Sequence, residues 1–421
     1  MPAEVTESVP CEREGCSCRR CGHARSAYRW LVTMLVGILL VPPLSLSFTV
    51  TQSTMSLGLV LAAAYLPWRL VKLRGRFVAA GTLYGAVTTL LVAYVSLHAL
   101  YYLVGERHFL VFLMEAQWAV YFAAFTCLLF DVKPLHGARE KVVRALLLVV
   151  LCQAILGIVS SYVGPLLDVG AWTEGRFGLS QYRATGTLGS PNGFAGVIAF
   201  GAVVALFHDR AGLPLPRAVL VPPILVALFL SQSKSGWVAF LLSGLVVLLA
   251  RFLLTTSARD FALAVGLGAL LVAAARTPEV VNELSSDYAG RVTFGERTLE
   301  RYERSEPGYQ VFGLGFRQTA EVDPETRGWL TAHNSYLSFL AETGLVGILL
   351  LCAVWTLTLW WILRTWDWAM LAALTCMLLH LYTEAFLYGN VYVLLMALVL
   401  GLSHMRHRQP EAPGAFILEH A

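Results

Sequence analysis

The chain has 421 residues, of which 57% are hydrophobic and only 14% charged, and its mean hydropathy is +0.65. Soluble domains carry about 25% charged residues, so this composition belongs in lipid. The net charge of +4 comes with no polybasic tract that could follow a phosphate backbone, which argues against nucleic acid as a partner.

The polar N-terminal tail, residues 1–29, crowds Cys11, Cys16, Cys18 and Cys21 ahead of His23. These are enough ligands for a small zinc site, but the two separated Cys-x2-Cys knuckles of such sites are missing. The tail reads first as a reduced, disordered cytoplasmic segment, with zinc as the alternative. The first apolar run continues past residue 41 without a small-residue cleavage site, so it reads as a retained helix, not a signal peptide.

Runs long enough to cross about 30 Å of hydrocarbon fall at 30–50, 55–71, 77–104, 109–130, 142–163, 188–207, 214–231, 236–255, 260–275, 335–363, 366–386 and 389–404. The second and seventh are short or interrupted by proline. Cys127, Cys152, Cys352 and Cys376 lie within these runs and read as small buried or lipid-facing residues. The chain is thus expected to be an all-α polytopic membrane protein of about twelve transmembrane helices. Helices one to nine occupy 30–275 and helices ten to twelve occupy 335–404, with a short cytoplasmic tail at 405–421.

Basic residues orient the stack. With the N-terminus in the cytoplasm, the inner segments hold Arg69, Lys72, Arg74 and Arg76, then Lys133, Arg139, Lys141 and Arg144, then Arg210, Arg217, Arg251, Arg259, Arg364, Arg406 and Arg408. The short outer loops hold only Arg107, Arg176, Arg183 and Lys234. This alternation is the positive-inside pattern and predicts both termini in the cytoplasm of an inner membrane.

One connection is far longer than the rest. Residues 276–334 form a large extracytoplasmic loop, beyond ordinary connector length and therefore expected to have structure and a task. Within it Glu296, Glu300 and Glu303 alternate with Arg297, Arg301 and Arg304 at helical spacing, which predicts a solvated helix laced with ion pairs. The Phe312-Gly313-Leu314-Gly315-Phe316 turn then bends the chain back toward the membrane.

Arg183 and Lys234 are the informative exceptions to the charge rule. Either cation is explained by snorkelling to the headgroups. The sharper reading makes them a pair of fixed charges for an anionic substrate, phosphate or diphosphate, with nearby Gly, Ser and Thr letting backbone N–H groups approach the same anion. Both are expected at the solvent edge, where alanine removes charge without unpacking a core. His333 opens the tenth helix; it reads either as a cap or as the natural proton acceptor at neutral pH. Glu342 lies nine positions further, about 13 Å deeper at 1.5 Å per residue, too far to orient His333 directly.

Taken together, these segments resemble the O-antigen ligase and O-antigen polymerase superfamily of bacterial membrane glycosyltransferases. The features that carry the resemblance are His333-Asn334-Ser335-Tyr336-Leu337 with its Glu342-Thr343-Gly344-Leu345-Val346-Gly347 continuation, Arg183 with Gly186 and Pro191-Asn192, the Ser231-to-Gly236 turn, and Gly313-Leu314-Gly315. Order and spacing agree over residues 140–390. The resemblance implies transfer of a glycan from an undecaprenyl-diphosphate carrier to an acceptor hydroxyl outside the cytoplasmic membrane, without metal or other cofactor. It puts Arg183, Lys234, Arg297 and, as second choice to Arg297, Arg291 on the diphosphate, and His333 on the acceptor. Asn192, Asn334, Tyr336 and Glu342 support the site. Lys234 stands where the family usually has arginine, which keeps the charge and loses the fork. Ligase and polymerase differ only in the acceptor, a lipid A core sugar or another carrier-linked saccharide. The rival from another class is a secondary transporter of twelve helices, for which Glu115 and His380 are the candidate midplane residues.

Overall fold

The computed structural model describes residues 19–41, 44–45, 54–55, 57–73, 83–105, 109–164, 180–188, 190–276, 292–316, 318, 321–322, 329–330, 334–384 and 390–405. Among them the fold is α-helical, apart from two antiparallel pairs of two-residue strands, β1 (Leu44–Ser45) with β2 (Thr54–Met55) and β3 (Glu321–Val322) with β4 (Trp329–Leu330). The helices are α1 (Arg19–Leu39), α2 (Leu57–Leu73), α3 (Leu83–Val104), α4 (Phe109–Val132), α5 (Ala138–Val163), α6 (Pro191–Phe207), α7 (Arg217–Leu230), α8 (Lys234–Thr255) and α9 (Ala258–Arg276). Two short ones follow, α10 (292–303) and α11 (Pro307–Phe312), and then α12 (Ser335–Thr365), α13 (Trp368–Thr383) and α14 (Asn390–Ser403).

A helix underlies each apolar run, but the first is displaced. The run at 30–50 predicts a helix there, whereas α1 spans Arg19–Leu39. Its first half is polar and invisible to hydropathy, and Pro42-Pro43 just beyond its end cannot continue a helix. Pro67 in α2, and Pro222 and Pro223 in α7, interrupt the two short runs as read from the sequence. Helix 292–303 occupies the alternating Glu/Arg segment, where Arg304 pairs with Glu300 at 3.5 Å.

Five of the described helices are long and apolar enough to cross a membrane by length and composition: those in α3, α4, α5, α8 and α12. Their outward faces carry exposed Leu90, Leu97, Ile155, Val159, Leu253 and Leu349. An outer surface this apolar is a lipid-facing surface.

The centre of the bundle is α6, α13 and α14, whose side chains are almost wholly buried. Small residues let these helices approach. A Cβ on Gly201 would meet Val150 at 2.4 Å, one on Gly157 would meet Phe194 at 2.2 Å, and one on Gly196 would overlap the Tyr392 hydroxyl. At one end of the bundle, buried ion pairs join helix termini: Arg69 with Asp131 at 2.8 Å, and Arg139 with Asp367 at 2.6 Å. Tyr65 donates to the same Asp131 at 2.6 Å. Cys21, near the start of α1, is disulfide-bonded, so its thiolate does not serve a zinc ion; Cys11, Cys16 and Cys18 lie outside the described residues. Cys127 and Cys376 are buried, Cys152 and Cys352 exposed, and all four are free thiols.

The other end holds the main irregularity. Inside α12, Gly344 has φ +68° and ψ −174°, which splits the helix in two. The Gly313-Leu314-Gly315 turn sits in that gap. Leu314 N–H donates to Ala341 O and Gly315 N–H to Glu342 O, each at 2.9 Å. Gly313 (φ +98°) and Gly315 (φ +89°) take backbone conformations open to glycine. A Cβ on Gly313 would stand 2.2 Å from Glu342 O, and one on Gly344 would stand 2.3 Å from Val311 O. We expect Gly313→Ala and Gly344→Ala each to lower stability by about 1–3 kcal/mol or more, read as thermal unfolding in detergent. Gly268→Ala, which meets open space, is the control and should lose nothing.

Candidate active site

The ion-paired end carries the starts of α5 and α13; the opposite end brings together the starts of α6, α8 and α12. Each start is capped by a side chain. Ser190 accepts from Gly193 N–H at 3.3 Å, Ser233 from Gly236 N–H at 3.4 Å, and Asn334 from Tyr336 and Leu337 N–H at 3.0 and 3.1 Å. All three first turns touch one residue, Glu384, just past the end of α13 and 2% exposed. Its Oε1 accepts from Asn192 Nδ2 and from Ser235 Oγ, both at 3.0 Å, and its carbonyl accepts from Ser335 Oγ. A carboxylate among helix N-termini is favoured by the partial positive charge of their N–H groups.

Arg183 belongs to the same network. Its Nε donates to Ser231 O at 3.0 Å, and its Nη2 to Asn192 Oδ1 at 3.1 Å and Gln232 O at 3.3 Å. The guanidinium thereby fixes the turn between α7 and α8, whose Gln232 has φ +50°, and Lys234 follows as the first residue of α8. The sequence reading put Arg183 at the solvent edge. It is in fact 5% exposed, because its fork is spent on carbonyl groups of the turn. Lys234 is half-buried, closer to expectation.

The remaining expected residues fall in different places. Asn192 joins Arg183 to Glu384 and so lies at the centre, while Asn334 caps α12 beside Ser335. Tyr336 donates to Leu378 O at 3.0 Å, which makes it a tie between α12 and α13. Glu342 is buried in the α12 break, where its carbonyl receives the loop. Arg297 lines an open groove of about 600 Å³ on the loop with Glu300, Arg301, Arg304, Glu306 and Tyr309. The helix that carries Arg297 lies by the start of α12, since the nearest neighbour of a Cβ on Gly295 would be Leu337 at 3.7 Å. His333 and Arg291 lie outside the described residues.

The two residues offered for a transport path are engaged internally. Glu115 contacts His98 and the loop backbone, and His380 Nδ1 lies 2.7 Å from the Tyr392 hydroxyl. Sequence reasoning missed Glu384. An acid at the end of an apolar helix needs a partner, which was the available signal, but nothing in its neighbourhood named Asn192 and Ser235.

An α-helical bundle with apolar outer faces and a polar network across several helix ends is a multi-pass membrane protein. Residues 218–352 match the sequence model of the family described as O-Antigen ligase. This segment runs from α7 into α12, about a third of the chain, and the match agrees with the resemblance that the sequence motifs carry. The family's members are ligases and polymerases of the glycosyltransferase kind. No curated protein matches the chain.

Arg183→Ala should be costly to the fold itself. It leaves Ser231 and Gln232 carbonyls without their donor, at about 1–3 kcal/mol for each buried group stranded. Lower expression and a lower unfolding temperature are expected, with Arg183→Lys partly restoring both. Wild-type stability in the alanine variant would show that the turn does not depend on the guanidinium.

Proposed function

We propose that the chain is an O-antigen ligase-like glycosyltransferase of the inner membrane, moving a glycan from an undecaprenyl-diphosphate carrier to an acceptor hydroxyl on the extracytoplasmic side. The observation that carries this reading is the convergence of three helix N-termini and Arg183 on one buried network, with Lys234 opening one of those helices. Helix N-termini and fixed cations together favour an anion, and the carrier's diphosphate is the anion the superfamily's substrates supply. In this scheme twelve helices cross the membrane, both termini are cytoplasmic, and residues 276–334 lie outside.

The acceptor oxygen attacks the anomeric carbon as the bond from that carbon to the diphosphate oxygen breaks. Negative charge grows on the departing carrier diphosphate, and the cations stabilise it. Lys234 offers a point charge at the start of α8. Arg183 contributes its charge from behind the turn and sets the position of that lysine, while Arg297, with Arg291 as second choice, covers the diphosphate from the loop. His333 accepts the acceptor's proton. No step calls for a metal. A lipid A core sugar as acceptor makes the enzyme a ligase, and a second carrier-linked glycan makes it a polymerase.

His333→Ala should lower turnover by roughly a hundredfold or more with carrier binding little changed, measured per folded protein in a reconstituted assay. Lys234→Ala should lose most activity while folding normally, and Lys234→Arg should retain it. Wild-type turnover from both alanine variants would remove the reading. Orientation is tested separately: a cysteine placed within 276–334 should react with a membrane-impermeant thiol reagent, and one within 133–141 should not. The reverse pattern would put the site on the wrong side for this chemistry.

A further inference from the structure

Glu115 and His98 are a buried acid and base that the proposed transfer does not use. Glu115 is fully buried and His98 is 6% exposed. Each lies six residues inside its helix from the α3–α4 turn, about 9 Å at 1.5 Å per residue, so the two face each other at one depth. His98 Nδ1 stands 3.0 Å from both carboxylate oxygens. A charge at such a depth is costly and needs an internal partner. His98 supplies one, and the second comes from the loop: Phe316 N–H donates to Glu115 Oε1 at 3.1 Å.

The same turn is held on its other side. Tyr102 donates to Gly313 O at 3.2 Å, and the Tyr94 hydroxyl lies 2.8 Å from Phe312 O and 2.5 Å from Thr343 O. Phe316 itself is buried, with its ring 6.3 Å from that of Phe339 on α12. Three side chains of α3 and α4 therefore hold a loop segment that is about two hundred positions away in sequence. Phe316 follows Arg297 on the same loop, after α10 and α11, so whatever fixes this turn limits where Arg297 can be.

We propose that Glu115 is a positioning residue for the transfer reaction: its carboxylate, held by His98, grips the Phe316 amide and so fixes the loop that carries Arg297 against α12. The proposal rests on the reading that this loop takes part in the transfer. It gives the N-terminal helices α3 and α4, outside the family match, a part in the chemistry.

The test uses the full chain in lipid nanodiscs with two readouts, trypsin cleavage at the exposed Arg301 and Arg304, and glycosyl-transfer turnover. Glu115→Ala should speed cleavage by roughly tenfold, as expected for loss of one buried hydrogen bond. It should lower kcat by about tenfold to a hundredfold with less change in carrier KM, as expected for displaced reacting groups. Glu115→Gln keeps an acceptor oxygen for the Phe316 amide and should return both readouts close to wild type. If Glu115→Ala fails to fold, Tyr102→Phe removes only the hydroxyl on Gly313 O and should shift both readouts in the same direction by less. Unchanged cleavage in Glu115→Ala overturns the grip on the loop. A glutamine variant as defective as the alanine one shows that charge, not the amide contact, is what matters, and overturns it too. Faster cleavage with unchanged turnover overturns the positioning role. If wild-type protein transfers no glycan, the transferase reading fails alone, and the trypsin result still decides whether Glu115 holds the loop.

Discussion

The carbonyl groups released where α12 breaks at Gly344 must be satisfied, because in lipid each buried backbone group left without a partner costs several kcal/mol. The loop supplies the donors. Leu314 and Gly315 N–H groups take the carbonyls of Ala341 and Glu342, and the Tyr94 hydroxyl reaches that of Thr343. Helix and loop thus complete each other: without the turn the break would be unsatisfied, and without the break the turn would have nowhere to dock. The glycines follow from this fit, since a Cβ at Gly313 or Gly344 would overlap backbone atoms of the other segment.

The break also bears on the candidate site. The half of α12 before Gly344 is free to take its own direction, and its first turn meets Glu384 through Ser335. Glu384 links it to the starts of α6 and α8, and Asn192 passes the connection on to Arg183 and the α7–α8 turn. The first turns of three helices then surround one carboxylate, with Arg183 one hydrogen bond further out through Asn192. In the proposed transfer, fixed charges of this kind stabilise the departing diphosphate.

Much of this was legible in the sequence because hydrophobic length and charge alternation are local signals. Helices underlie the apolar runs, and the Glu/Arg alternation at 296–304 marks a real helix. Helix ends were less legible: α1 begins eleven residues early because its first half is polar, which hydropathy does not register as helix. In the site, Arg183, Asn192 and the Ser231-to-Gly236 turn were identified from charge and residue type, and they do meet. The burial of Arg183 was not, since it depends on carbonyls of a turn that only tertiary folding brings close. Glu384 escaped, and Glu115 was read only as a residue of a transport path, for a related reason. Their partners, Asn192 and Phe316, are each about two hundred residues away, and no local pattern encodes a contact of that range.

Glu384 has a further meaning for how the molecule is made. A membrane chain is threaded into the bilayer from its N-terminus, and domains complete themselves as their last elements arrive. Arg183, Asn192 and Ser235 are synthesised long before α13, so until then the first turns of α6 and α8 have no Glu384 carboxylate to share. Their alignment becomes favourable only when α13 inserts and delivers Glu384, and the start of α12 is secured by the same event. Completion of this network therefore waits for one of the last helices to be synthesised, and a chain stalled before α13 lacks the residue that joins the starts of α6, α8 and α12.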